Sequence, residues 1–378
     1  VQARPHIPTV DARTLKEWLA QGRALHLLDV RTPEEFAAWR IPTSQNLPLE
    51  RLLAGEGVNS IPRDRAVVTI CAHGTRARQA AEHLLGSGIP AYVLSGGMAA
   101  WNTVYERVEL VGALPDGSRV MQVRRLGKGC ISYVIASDGE AAVVDPTCHV
   151  EHVLAVAHEL GVRITHILDT HQHADHVSGA RRLQAETGAT LHLSPQEGYT
   201  FSRFEPLVEG REIRVGSTCL QPIHAPGHTL GSMLIQVGGR LLLSGDTLFV
   251  EGVGRPDLRD RAEEFAKLLY RTYRTVLAAL PDSLLVLPGH GDPEASLRFG
   301  EPLAARLDEL KRRIWLFRAD RETFVRYVVE RVPQRPPNTR FILQRNREGV
   351  VCNPEETDGL EEGPNRCAVP AAPSIPGR

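Results

Sequence analysis

Thr170-His-Gln-His-Ala-Asp-His176 is the stretch on which the reading of this chain turns. His171, His173, Asp175 and His176 fall within six residues, directly after the apolar strand pattern THILDT. Strand alternation turns His171 and His173 the same way wherever strand geometry persists, and Asp175 and His176 begin the following turn or helix. Three imidazoles and a carboxylate converging at a strand end form a metal nest. A lone surface histidine would mean little. Four such residues this close point to a metalloenzyme.

The stretch has partners further along. Residues 224–232 read HAPGHTLGS and put His228 in a Gly-Pro loop, and residues 241–249 read LLLSGDTLF and put Asp246 at the end of a fully apolar strand. An unpaired buried carboxylate is costly, so a metal partner suits Asp246. His290, in VLPGHGD, completes the set.

Around these residues the pattern is one of strands. RVMQVRRL, CISYVIAS and AAVVDP precede the histidines, and REIRVG, LQPIHAP and SMLIQVGGRLLLSGD follow them. The helical stretches HVEHVLAVAHELG and SGARRLQAETG interrupt the strands, which implies sheets layered against helices. Residues 1–110 have another rhythm. There LHLLDV, AVVTIC and AYVLSGG alternate with PEEFAAW and RARQAAEHLLGSG, as in a parallel sheet with helices on its faces. The expected division is a small α/β domain over 1–110, a turn-rich linker over 111–118, a layered sheet domain over 119–300, its helical extension over 301–345, and a flexible tail over 346–378.

A second chemical constellation lies in the first domain. The strand AVVTIC ends in Cys71-Ala-His-Gly-Thr-Arg76, and a helix follows at once. Successive backbone N–H groups and the positive helix end favour a thiolate there, and Arg76 adds fixed positive charge. Such a cradle suits an anion, either a sulfur oxyanion or a phosphate. Phosphatase loops of this general type are one residue longer between Cys and Arg, so the tighter loop favours a small sulfur substrate.

Composition narrows the partners. With 44 Lys plus Arg against 45 Asp plus Glu in 378 residues, no single-signed field argues for nucleic acid or an anionic membrane. A small-molecule substrate is expected. No apolar run approaches the ~20 residues that span a bilayer, and the opening VQARPHIPTV lacks the layout of a secretory signal, so a soluble cytoplasmic protein is expected, with a homodimer left open. The six scattered cysteines are expected as free thiols. Cys130, Cys148 and Cys219 are assigned to core packing, and Cys352 and Cys367 to the tail, where substitution should be tolerated.

LLDVRTPEEFAAWRIP, CAHGTR and YVLSGGMAAWN together resemble the rhodanese family across most of residues 8 to 105. The resemblance implies that Cys71 carries a persulfide, with Arg76 and the loop amides of His73, Gly74 and Thr75 lining the site. Asp29 and Arg31 match a family motif of structural character. Trp39-Arg40 departs from the family, which usually has Gly-His there.

Residues 120 to 300 resemble the metallo-β-lactamase superfamily, which implies an αββα sandwich. Asp246 and His173 set the chain apart from the main zinc β-lactamases and the diiron flavoproteins, leaving glyoxalase II thioester hydrolases and persulfide dioxygenases. In a binuclear hydrolase, His171, His173 and His228 would hold one Zn2+, Asp175, His176 and His290 the other, and Asp246 would bridge. In a persulfide dioxygenase one Fe2+ is held by His171, His228 and Asp246, which makes His173, Asp175, His176 and His290 supporting groups. GVGRPDL, after the Asp246 strand, looks like the dioxygenase pattern. It assigns Arg255 and Asp257 to substrate binding, with Arg255 on the substrate's carboxylate or sulfur terminus. FVRYVVERVPQRPPNTRFILQRN also resembles bacterial proteins that join this domain to rhodanese modules.

The fusion itself favours the dioxygenase. A rhodanese makes or consumes persulfide, and a dioxygenase oxidises a thiol persulfide, such as glutathione persulfide, with O2 to sulfite. The expected partners are therefore a thiol persulfide, thiosulfate and O2. Zinc-dependent thioester hydrolysis is the alternative.

Overall fold

Alternation along short strands explains the first unit. In Leu25–Asp29 and Ala66–Ile70, Leu28 and Val67 face one apolar cluster while Leu27 and Val68 face another. A strand buried on both faces needs helices on both sides, and needs parallel neighbours reached by crossovers. The computed structural model, which describes residues 7–258, 260–291, 298–336 and 338–371, shows this arrangement. Five parallel strands run in the order Thr9–Val10, Ala91–Leu94, Ala66–Ile70, Leu25–Asp29, Gln45–Asn46. The helix Thr75–Gly86 buries Ala77, Ala80, Ala81 and Leu84 in one cluster, and Leu15 and Trp101 fill the other.

The second unit is a four-layer sandwich. A seven-stranded sheet and a six-stranded sheet share a core in which Tyr133, Ile135, Val144 and Leu168 of the first meet Leu220, Ile235, Leu243 and Leu287 of the second. The intervening strand residues point outward and are buried in turn. Val134, Val143 and Ile167 lie under the helices Glu151–Leu160 and Ala180–Thr187. Leu234, Leu242 and Val286 lie under Ala262–Arg271 and Arg321–Glu330. No helix of the described residues is long and apolar enough to cross a membrane.

Three sequence expectations differ from the structure. The strand Tyr105–Glu109 pairs antiparallel with Arg119–Arg125, so the second unit's sheet begins before the expected linker at 111–118, which is the turn of a hairpin. Residues 346–371 are built into the fold: the helices Thr339–Glu348 and Pro354–Thr357 lead to Ala368–Pro370, which pairs with Gly252–Gly254. A composition rich in Pro, Gly and Glu concealed three buried anchors, Cys352, Glu361 and Cys367. Residues 372–378 of the expected tail lie outside the described residues. Finally, Cys148 and Cys352 form a disulfide, leaving Cys71, Cys130, Cys219 and Cys367 free.

Candidate functional site

Strand ends of both sheets deliver the metal-binding side chains to one edge of the sandwich. His171 follows the strand Arg163–Leu168, and Asp246 follows Leu241–Gly245. His228 lies in the loop between Thr218–His224 and Met233–Val237, and His290 follows Leu285–Pro288. Close approach here depends on glycine. A Cβ on Gly289 would stand 2.8 Å from Asp246 Oδ1, and one on Gly254 would collide with the Asp246 carbonyl.

His171, His228 and Asp246 form a compact, fully buried group. Asp246 Oδ2 lies 3.7 Å from His171 Nε2 and 3.6 Å from His228 Nε2. None of these three atoms has a hydrogen-bond partner. Buried polar atoms left unpaired cost free energy, and three of them facing one another fit a cation. The imidazole tautomers agree. His228 Nδ1–H donates to the Arg255 carbonyl at 2.9 Å. Thr170 Oγ1 donates to Asp145 Oδ2 at 2.8 Å, so it can only accept from His171 Nδ1–H at 3.0 Å. Both rings thereby turn a bare Nε2 lone pair inward. Burial pushes both imidazoles below their usual range, which keeps them neutral as ligands.

Beside the triad, His290, Asp175 and His176 are joined in a chain of contacts, while His176 Nε2 and both ring nitrogens of His173 have no hydrogen-bond partner. His290 reaches Asp246 Oδ1 at 2.6 Å and Asp175 Oδ2 at 2.9 Å, and His176 Nδ1 lies 3.1 Å from Asp175 Oδ1. Burial alone would raise the Asp246 carboxyl, but charge and hydrogen bonding from His290 and charge from His171 hold it below the carboxylate range. The His173 ring stands 4.3 Å from that of His171. Its Nε2 lies 3.3 Å from Asp145 and 3.8 Å from Asp169. The site therefore holds a buried His/Asp/Cys donor set able to bind one or two metal ions.

Two cysteines assigned to packing and tail belong here. Cys130 Sγ lies 3.3 Å from Asp175 Oδ2 and 3.8 Å from His176 Nδ1, and Cys367 groups with Asp246 and His290. Only the position of Cys130 beside a strand start hinted at this. His290 also faces a cavity of about 1120 Å³ between the two units, walled by Trp39 and Arg40 on one side and by Phe249 and Arg366 on the other.

Arg255 and Asp257, expected at the substrate, are bonded to each other. The Arg255 side chain is buried, bound to Asp257 at 2.7 and 3.0 Å and to the carbonyls of Arg366 and Pro333. Asp257 in turn accepts from Arg335 at 2.8 Å. The guanidinium ties loops together through these bonds. The backbone of Arg255, through its bond to His228, is what serves the site.

In the first unit, Cys71 Sγ accepts from the amides of Gly74 at 3.1 Å and Ala77 at 3.3 Å. The amides of His73 and Thr75 are not among its partners, and the His73 ring is largely exposed, 3.9 Å from Glu362. Arg76 is clamped by Glu35 at 2.7 and 2.8 Å. That bond holds the Glu35 carboxyl at about 2, so the loop's positive charge is already paired. Asp29 and Arg31 form a buried ion pair at 2.7 Å.

Comparison with known proteins agrees with this architecture. The metallo-beta-lactamase superfamily pattern matches residues 127–290, and the rhodanese-like domain pattern matches residues 11–103. The chain belongs to the metallo-β-lactamase superfamily and carries a rhodanese-like domain ahead of its metal centre. Within that superfamily it is close to the glyoxalase II, or hydroxyacylglutathione hydrolase, family. It is 36% identical to the hydroxyacylglutathione hydrolase of Anaeromyxobacter dehalogenans, over 50% of this chain and 74% of the relative. With that of Polaromonas sp. the identity is 38%, over 44% and 64%. The chain thus spans about two thirds of the length of the relatives it matches. The crystal structure of ETHE1 from Myxococcus xanthus superposes with a TM-score of 0.53 and 30% identity, covering 60% of this chain and 96% of that one.

Proposed function

We propose that this protein is a single-iron persulfide dioxygenase whose rhodanese domain exchanges sulfane sulfur through Cys71. One observation carries the reading: Nε2 of His171, Nε2 of His228 and Oδ2 of Asp246 are orphaned together in one compact buried group. Two histidines and one carboxylate on one face suit non-haem iron(II), which supplies open positions for a sulfur ligand and dioxygen. Asp145, through Thr170, and the Arg255 carbonyl orient the two histidines. His290 holds Asp246 on one side and Asp175 on the other. The cavity between the units admits a small thiol persulfide to this wall.

Written for glutathione, GSSH + O2 + H2O gives GSH + sulfite + two protons. The outer sulfur loses four electrons and dioxygen takes them. At Cys71, the thiolate takes the outer sulfur of thiosulfate and releases sulfite, and the resulting persulfide passes that sulfur to a small thiol. The amides of Gly74 and Ala77 stabilise the anionic sulfur in both states.

A second reading has its own support. The relatives named above are hydroxyacylglutathione hydrolases, and all seven residues of a binuclear zinc site are present, so metal-dependent thioester hydrolysis is the competing function. Oxygen-electrode and hydrolysis assays on anaerobically purified, iron-loaded protein decide between them. Oxygen uptake with glutathione persulfide, with one iron per chain, is the expected result. Hydrolysis of S-lactoylglutathione without oxygen uptake, with two metals per chain, sinks the dioxygenase.

A further inference from the structure

The stretch FVRYVVERVPQRPPNTRFILQRN is absorbed by neither reading of the chemistry. Its last residue, Asn346, sits in the final turn of the helix Thr339–Glu348 and is buried. Its Nδ2 donates to the carbonyls of His173 and His176, both at 2.9 Å, and its Oδ1 accepts from the Ser178 amide at 2.8 Å. The neighbouring Val177 amide donates to Glu361 Oε1 at 2.7 Å. Glu361 is itself buried in an ion pair with Arg125. Residues 171–178 lie outside strand and helix, so their buried backbone groups need outside partners. Four of those groups are satisfied by two side chains from beyond residue 340.

We propose that Asn346 is a positioning residue of the metal centre, fixing the loop of residues 171–178 and thereby setting metal affinity. The chemistry requires an amide. Two carbonyls need donors and one N–H needs an acceptor, and only Asn offers both from one short side chain. Asp, of the same shape, keeps the acceptor and sets a carboxylate oxygen against two carbonyls.

The test measures Fe(II) affinity anaerobically and Zn(II) affinity by chelator competition for Asn346→Asp in the full chain. Arg345→Ala, a partly exposed neighbour on the same helix, serves as control. The expected result for N346D is ~10–100-fold weaker binding of both metals and an altered Co(II) visible spectrum, with R345A unchanged. Metal-free thermal melts separate positioning from folding. If N346D does not fold, N346L, of similar size with neither donor nor acceptor, is judged by the same criterion. A folded variant with wild-type metal affinity and Co(II) spectrum overturns the proposal. The readout is metal binding, not turnover, so its failure leaves the choice between dioxygenase and hydrolase untouched.

Discussion

The two chemical sites are assembled in opposite ways. The sulfur loop is local: Cys71, its amide donors and Arg76 lie on one strand end and the first turn of the next helix. The metal centre is dispersed over four loops, and its supporting groups extend to Asn346, Glu361 and Cys367. A local site depends on one backbone conformation. A dispersed site depends on the whole sandwich, and its ligands can be held rigidly only if distant segments are fastened first.

That contrast can be broken by substitution, most severely at the metal triad. His228→Ala should weaken metal binding by more than the ~100-fold of a supporting group, as measured by metal analysis after dialysis. Retained stoichiometric metal would mean that the triad is not the primary site. Cys71→Ser should abolish sulfur transfer from thiosulfate yet leave persulfide oxidation within about twofold, because separated sites behave independently. Equal loss of both activities would show that the two sites work as one.

Two further tests concern the fastening of the C-terminal segment. Cys352→Ser should lower the urea midpoint, by about 2–4 kcal/mol of stability, and leave thiosulfate sulfur transfer unaffected. His149 bonds Asp358 at 2.8 Å and Glu151 at 2.9 Å. Burial alone would lower its pKa, but these two acids raise it from 6.5 to about 9. A raised histidine stabilises the fold fully below pH 6.5, and that contribution disappears as pH rises through 9. His149→Gln should flatten stability across this window, an effect on the order of 1 kcal/mol. Unchanged curvature in melts between pH 6 and 10 would remove His149 from the fastening.

The same contrast governs what could be read from sequence. Short apolar runs separated by helical stretches revealed the sheets, because strands covered on both faces bury adjacent residues in different layers. The cysteine loop was legible as a continuous stretch; of the triad, His171 and Asp246 follow apolar strands, whereas His228 lies in a loop and was grouped with them only by the family resemblance. For Arg255 the sequence shows only the guanidinium, and the bond from His228 to the carbonyl of the same residue was not legible. The Cys148–Cys352 bridge joins positions 204 residues apart, and no local pattern encodes such a pairing. Cys367 and Glu361 were hidden likewise, since a segment of turn-forming residues gives no period from which burial can be inferred. Alternation could not place His173, because the strand ends at Leu168; its ring lies beside that of His171.

The braces on residues 171–178 also bear on how the protein is made. A ribosome delivers Asn346 and Glu361 after every donor of the triad, so the histidine loop leaves the exit tunnel before the side chains that hold it. During that interval its imidazoles are open to any passing cation. Metal selection is then best made after synthesis, by the finished pocket.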